Sequence, residues 1–157
     1  MTVRRLRIAV AALALIGAGI AAYLTWVHFA GLKPVCVGRS GGCERVQSSS
    51  YAELGGVPVA LLGLIGYLAI LASLVPSDAR ARSVTVFLCL AGAGFSAYLT
   101  YVELAVIDAI CQWCVASAVV MAALAGVSVA YFLAAERPMA RMRTIPDEAG
   151  GASRDAA

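Results

Sequence analysis

Charged side chains are scarce in this 157-residue chain, which is 13% charged and 62% hydrophobic. Soluble domains average about 25% charged and about 45–50% apolar residues. The shortage of charge therefore excludes an ordinary soluble domain and predicts a chain embedded in a lipid bilayer. No segment interleaves basic residues with aromatic ones, so we predict no nucleic-acid binding. The length is that of one domain.

Long polar segments are also few, and four uncharged runs separate them. A helix needs about 20 apolar residues to cross a hydrocarbon core of about 30 Å. The first run has the alternative of being a signal peptide, but it is long and ends in interfacial residues, Tyr23, Trp26 and His28. We predict an all-α membrane protein, a four-helix transmembrane bundle with spans at about residues 8–29, 57–75, 83–102 and 110–133.

Basic residues are unevenly divided among the segments that join these runs. Because Lys and Arg concentrate on the cytoplasmic side of membrane proteins, the division predicts a multi-pass protein of the cell membrane. Residues 1–7 and a disordered tail at 136–157 would be cytoplasmic, and loops 30–56 and 103–110 would face outward. The inner segments would then hold Arg4, Arg5, Arg7, Arg80, Arg82, Arg137, Arg141, Arg143 and Arg154, and the outer ones Lys33, Arg39 and Arg45.

Four of the five cysteines fall on the predicted outer side, where disulfides form and persist. They are Cys36, Cys43, Cys111 and Cys114. The fifth, Cys89, lies within the third span and is interpreted as a small buried hydrophobic residue.

The two outer pairs differ in their surroundings. Cys111 and Cys114 form a C-x-x-C motif at the start of a helix, where the macrodipole favours a reactive thiolate. Cys36 and Cys43 bracket a glycine-rich stretch that could swing. One mobile and one fixed pair suggest an electron relay by thiol–disulfide exchange. Two inert structural disulfides are the alternative. A zinc site is disfavoured by the wide spacing of the first pair, and we predict no metal.

Other polar and aromatic residues near the motif have two interpretations each. Asp108 could relay a proton, but we interpret Asp108 and Glu103 as solvated acids at the interface. His28 is interpreted as an interfacial anchor. Trp113 and Tyr51 either wall a flat apolar ring or belong to the aromatic belt of the membrane interface.

An ordered set of segments resembles the bacterial branch of the vitamin K epoxide reductase family, over about residues 8–135. The resemblance implies a four-helix transmembrane bundle around a quinone pocket, with a short half-helix on the outer surface at Ser48 to Leu54. The matching segments are Cys36, then CERVQSSSY from Cys43, GVPVALLGL from Gly56, GFSAYLT from Gly94 and CQWC from Cys111.

The same resemblance implies a role for each cysteine. Cys114 would meet the quinone, Cys111 would exchange with Cys43, and the Cys36/Cys43 pair would take electrons from a partner. Two positions depart from the vertebrate pattern of polar quinone-binding residues, since Val59 and Ala118 stand there. The candidate quinone-binding set is Cys114, Ser49, Tyr51, Val59, Trp113 and Ala118.

The function implied is a membrane thiol:quinone oxidoreductase that re-oxidises an extracytoplasmic thioredoxin-fold (DsbA-like) partner. Many bacterial members carry a thioredoxin-like domain after the fourth span. Only a short tail, residues 136–157, follows that span here, so we expect the thioredoxin-like partner to be a separate protein that acts in trans. The quinone would be of the menaquinone, ubiquinone or phylloquinone type. Vitamin K epoxide reduction is an alternative, as is a non-catalytic assembly factor with structural disulfides. A DsbB-like oxidase is disfavoured because its two cysteine motifs occur in the opposite order.

Overall fold

The computed structural model describes residues 2–36, 42–76 and 78–143, with side chains as far as residue 136. Most of these residues are helical. Short irregular elements are confined to the connections, namely a 3-10 turn at Ser50–Ala52, strands β1 (Glu53–Leu54) and β2 (Val57–Pro58), and a π-helical turn at Glu103–Ile107. The helices are α1 (Val3–Phe29), α2 (Gly42–Gln47), α3 (Val59–Ser73), α4 (Ala79–Val102) and α5 (Gln112–Arg143).

The four long helices close into a bundle. α1 packs against α3 and α5, and α4 packs against the same two helices. Tyr67 of α3 lies directly over Gly17 of α1, where any Cβ would overlap the tyrosine ring. Cys89 is fully buried in this core, as the sequence predicts. The outward surface is apolar instead, with Phe87 and Val119 each more than 60% exposed, which suits contact with lipid.

Three of the helices are long and apolar enough to cross a membrane, those containing the first, third and fourth predicted spans. The second predicted span, 57–75, is helical only over the 15 residues of α3, or about 22 Å. It is shortened because β2 pairs with β1 in a hairpin turned by Gly55 and Gly56, both at positive φ. The fourth crossing therefore stays a prediction.

The half-helix expected at Ser48 to Leu54 is not formed there. The helix of the first loop is α2, and residues 50–54 make the 3-10 turn and β1 instead. The hydroxyls of Ser48 and Ser49 donate to the carbonyls of Arg45 and Val46, at 3.4 and 2.7 Å. Serine side chains compete in this way with helical backbone bonds, so the helix ends where the serines begin.

The helices at the basic end of the bundle run beyond the predicted spans. α1 begins at Val3, and α5 continues to Arg143, so part of each predicted terminal segment is helical. Residues 144–157 lie outside the described residues. Arg7 donates to the carbonyl of Leu74 at 2.6 Å, which ties the first turns of α1 to the end of α3. The four outer cysteines lie at the opposite end.

Candidate redox site

The first cysteine pair, Cys36 and Cys43, is joined by a disulfide with its Cα atoms 6.5 Å apart. Cys43 lies in the first turn of α2 and is 3% exposed, whereas Cys36 is half-buried in the preceding segment. Gly42 packs so closely on the carbonyl of Ile110 that a Cβ would overlap it. The predicted mobility of the glycine-rich stretch falls on residues 37–41, outside the described residues.

The second pair, Cys111 and Cys114, has free thiols at the start of α5. Cys111 immediately precedes the helix and is fully buried, while Cys114 is half-buried in its first turn. The Cys114 amide donates to the Cys111 sulfur at 3.4 Å. A side-chain hydrogen bond with Cys114 lowers the pKa of the Cys111 thiol, which favours its thiolate form.

The two pairs meet in one buried cluster. Cys43, Val46 and Cys111 form its centre, and Cys36 and Cys114 pack against it. Each pair therefore contributes one fully enclosed cysteine to a shared core, while its other cysteine lies at the edge. Contact of this kind is what exchange between two pairs needs, since each step joins two sulfurs directly.

A π-helical turn positions the second pair. The turn ends at Asp108, which adopts the left-handed conformation (φ 50°, ψ 45°), and the Ala109 amide donates to the Glu103 carbonyl at 3.1 Å. The chain then turns back, and the Cys111 amide donates to Oε2 of Glu103 at 3.1 Å. Asp, with Asn, tolerates this backbone better than most residues, and π-turns are frequent at functional sites.

Glu103 is the residue that sequence reasoning misplaced. It is 5% exposed and not a solvated acid. Asp108 is exposed, as predicted. The signal that was available is position, since Glu103 stands eight residues before Cys111 at the end of an otherwise uncharged run. His28 lies 3.4 Å from Glu53 on β1, an ion pair when the imidazole is protonated.

A cavity of about 210 Å³ opens beside Cys114. Its wall is mostly apolar, with a few polar groups that include Glu103, Thr100 and the Tyr67 hydroxyl, which pairs with Ser117 Oγ at 2.9 Å. Pockets for drug-sized ligands run to about 300–1,000 Å³. The cavity is smaller than that range, so it would enclose a small ligand or only part of a larger one.

Five of the six predicted quinone-binding residues lie together. Cys114, Ser49, Tyr51, Val59 and Ala118 line the cavity. Their role in binding stays a prediction.

Trp113 is not among the described residues of the cavity wall. Its indole N–H donates to the Val35 carbonyl at 2.8 Å, and its ring packs against Tyr23 at a centroid distance of 5.0 Å. It therefore holds the segment before Cys36. Within the described residues, no group of three or more His, Cys, Asp or Glu side chains is placed to hold a metal ion.

The sequence model of the vitamin K epoxide reductase family matches residues 8–129, well over half of the chain. That stretch contains α3, α4, both cysteine pairs and every residue of the cavity wall. Proteins of this family are membrane-embedded oxidoreductases that use thiols and quinones. The chain belongs to the vitamin K epoxide reductase family.

Proposed function

We propose that this protein re-oxidises a thioredoxin-fold partner of the DsbA kind outside the cytoplasm and passes the electrons to a membrane quinone, thereby supporting disulfide formation. The order of burial along the four cysteines carries the proposal. Cys36 lies at the edge near the surface, Cys43 and Cys111 lie enclosed together, and Cys114 lines the cavity. That order leads from a protein surface to a small-molecule site.

In the first exchange, a thiolate of the reduced partner attacks the sulfur of Cys36, the more accessible end of the loop disulfide. The Cys36–Cys43 bond breaks and a mixed disulfide with the partner forms. The partner's second thiol then attacks that bond. The partner leaves as a disulfide, and Cys36 and Cys43 are left as thiols.

In the second exchange, the Cys43 thiolate attacks Cys111 of an oxidised Cys111–Cys114 pair, its neighbour in the buried cluster. Cys36 then attacks Cys43 and restores the loop disulfide, which leaves Cys111 and Cys114 as thiols. These two thiols transfer two electrons and two protons to the quinone and close to a disulfide. Overall, a partner dithiol and a quinone become a partner disulfide and a quinol.

The membrane orientation we propose follows the basic residues. Both termini would be cytoplasmic, and the redox site would lie near the outer face of the cell membrane. The bundle supports this because Arg5, Arg7 and Arg80 lie at the end opposite the four cysteines. An outward site is also where a disulfide-forming partner would be found.

The test is electron transfer by purified protein from a reduced DsbA-type protein to a short-chain naphthoquinone. Cys114→Ala should abolish quinone reduction while Cys36 still forms a mixed disulfide with the partner. Cys89→Ala, which alters a cysteine of the bundle core, is the control and should retain activity. Parental quinone reduction by Cys114→Ala would overturn the proposal.

A further inference from the structure

Glu103 is a carboxylic acid buried where two cysteines react. Among the described residues it is the one Asp or Glu that is buried, and neither described ion pair includes it. A carboxylate taken out of water costs several kcal/mol unless other groups compensate for its lost hydration. A position of this kind therefore calls for a compensating contact or a use.

One compensating contact is the Cys111 amide, which donates to Oε2 of Glu103 at 3.1 Å. The carboxyl group also interacts with the side chain of Cys114. Glu103 and Cys114 line the same cavity. The π-helical turn produces this arrangement, because it brings the chain back so that the C-x-x-C motif begins beside its own preceding helix.

A purely structural role would be that of a backbone cap for Cys111. An amide oxygen performs that role as well as a carboxylate does, and without the cost of burying a charge. What a carboxylate adds is the ability to take up and release a proton. The carboxyl group interacts with Cys114 and lies on the cavity wall. It is therefore placed to move a proton between the Cys114 thiol and a molecule bound in the cavity.

We propose that Glu103 is the proton acceptor for the Cys114 thiol and delivers that proton to a quinone oxygen in the cavity. The inference rests on the proposed function, because it needs a quinone as the final oxidant. The π-helical turn before the C-x-x-C motif would then carry the protons that accompany the electrons.

The Cys114 S–H bond breaks, and its proton moves to the Glu103 carboxylate. Cys111 loses its own proton, and its sulfur forms a bond with the Cys114 sulfur. As this disulfide forms, an electron pair passes from Cys114 to the quinone. Glu103 returns its proton to one quinone oxygen, and the second proton reaches the other oxygen from Cys111 or from water. The products are a Cys111–Cys114 disulfide and a quinol.

The experiment is a single turnover of the full chain, reduced beforehand and mixed with a short-chain naphthoquinone at several pH values. Glu103→Gln keeps an oxygen for the Cys111 amide but cannot carry the proton. We expect its quinone-reduction rate to fall by about 100-fold, the lower range for loss of a general acid–base group. The rate should also rise in proportion to hydroxide concentration, because the Cys114 thiol must then lose its proton to the solvent before it reacts.

Other titratable groups at this site would affect the pH profile of every variant. They are Cys111 and Cys114 beside the turn, Tyr51 of the first loop and Tyr67 of α3. The comparison is therefore between variants at each pH. Glu136→Gln is the matched control, since Glu136 is exposed at the other end of α5 and should leave the rate and profile unchanged.

Two readouts separate a proton acceptor from a structural cap. Naphthoquinone binding, followed by tryptophan fluorescence, should be unchanged in Glu103→Gln, as should trapping of the Cys43–Cys111 disulfide. Glu103→Asp should recover part of the lost rate. A Glu103→Gln rate and pH profile equal to the parent would overturn the inference alone, as would a parallel loss of quinone binding and trapping. A parent chain unable to reduce any quinone would overturn the proposed function itself.

Discussion

The two cysteine pairs are built alike, each with one buried and one more accessible cysteine, but their accessible cysteines face different surroundings. In each pair one cysteine is enclosed in the shared cluster, Cys43 in one and Cys111 in the other. The remaining member of the first pair lies beside a surface segment, and that of the second lies on a cavity wall. The members of the first pair are seven positions apart, and Cys43 lies in a short helix. The members of the second pair are three positions apart at the start of a long helix. What differs between the pairs is access, which in the proposed relay would leave the first pair open to a protein partner and the second pair open to the quinone.

The largest expected effect concerns the contact between the pairs. In the double variant Cys36→Ala/Cys114→Ala, the two enclosed cysteines have lost their own partners. Because they share one cluster, mild oxidation should join Cys43 to Cys111 nearly completely. Peptide mass spectrometry without reductant would detect the cross-link.

The matched control is Cys43→Ala/Cys111→Ala, which leaves the two outlying cysteines. It should give little intramolecular cross-link under the same conditions. Equal yields in the two variants would mean that the enclosed pair has no preferred contact, and the comparison would fail.

The next effect is on the spacing of the pairs. Gly42→Ala places a methyl group against the Ile110 carbonyl, so α2 must shift away from the start of α5. We expect a loss of about 1–3 kcal/mol in stability, as for other overpacked sites, and slower exchange between the pairs. Thermal unfolding in detergent and the rate of Cys43–Cys111 trapping would measure the two effects.

Gly94→Ala serves as its control, because Gly94 lies within α4 with open space around its Cα. Its stability should change by less than about 1 kcal/mol. If Gly42→Ala behaved in the same way, the close approach of α2 to the C-x-x-C segment would have no energetic weight.

A third effect concerns the cavity alone. Ala118→Phe fills part of the space beside Cys114 and should raise the KM for quinone at least about tenfold, or about 1.4 kcal/mol of binding. The rate of thiol–disulfide exchange between a partner and the Cys36–Cys43 disulfide should not change. Val119→Phe places the same side chain on the exposed face of the helix and should leave KM near the parental value. Steady-state quinone reduction would show both.

The smallest effect is expected for the cysteine that belongs to neither pair. Cys89→Ala removes a fully buried sulfur from the bundle core and should cost about 1 kcal/mol of stability. Quinone reduction by a saturating dithiol should remain within about twofold of the parent, a barrier change of under about 0.5 kcal/mol. A large loss of activity with stability intact would add Cys89 to the relay.

The sequence was sufficient for features that depend on composition. Long uncharged runs predict where the long helices lie, because lipid requires apolar side chains and closed backbone hydrogen bonds. The helix ends differ, since α3 is shorter than its run and α1 and α5 extend beyond theirs. The buried state of Cys89 followed in the same way. The grouping of four cysteines at one end followed from the alternating direction of the runs.

Features that depend on local backbone competition were harder to predict. The half-helix predicted at Ser48 to Leu54 does not form, and the helix of this loop, α2, ends where the serines begin. Glu103 looked like an interfacial acid because a π-helical turn leaves no recognisable sequence pattern. Trp113 stands within the C-x-x-C motif, yet it points toward Val35 and not toward the cavity. Each case involves hydrogen bonds between a side chain and the backbone, which a sequence pattern does not show.

The contact of Trp113 with Val35 has a mechanical consequence. Both backbone groups of Val35 are tethered, its carbonyl to the indole on α5 and its N–H to the Tyr23 hydroxyl on α1 at 3.0 Å. Cys36 is the next residue along the chain, so any swing of Cys36 toward a partner must pivot at this anchored point. The anchoring residue, Val35, is held by Trp113, which lies in the same turn of α5 as Cys114. Movement of the first cysteine pair is therefore coupled to the helix that carries the second pair.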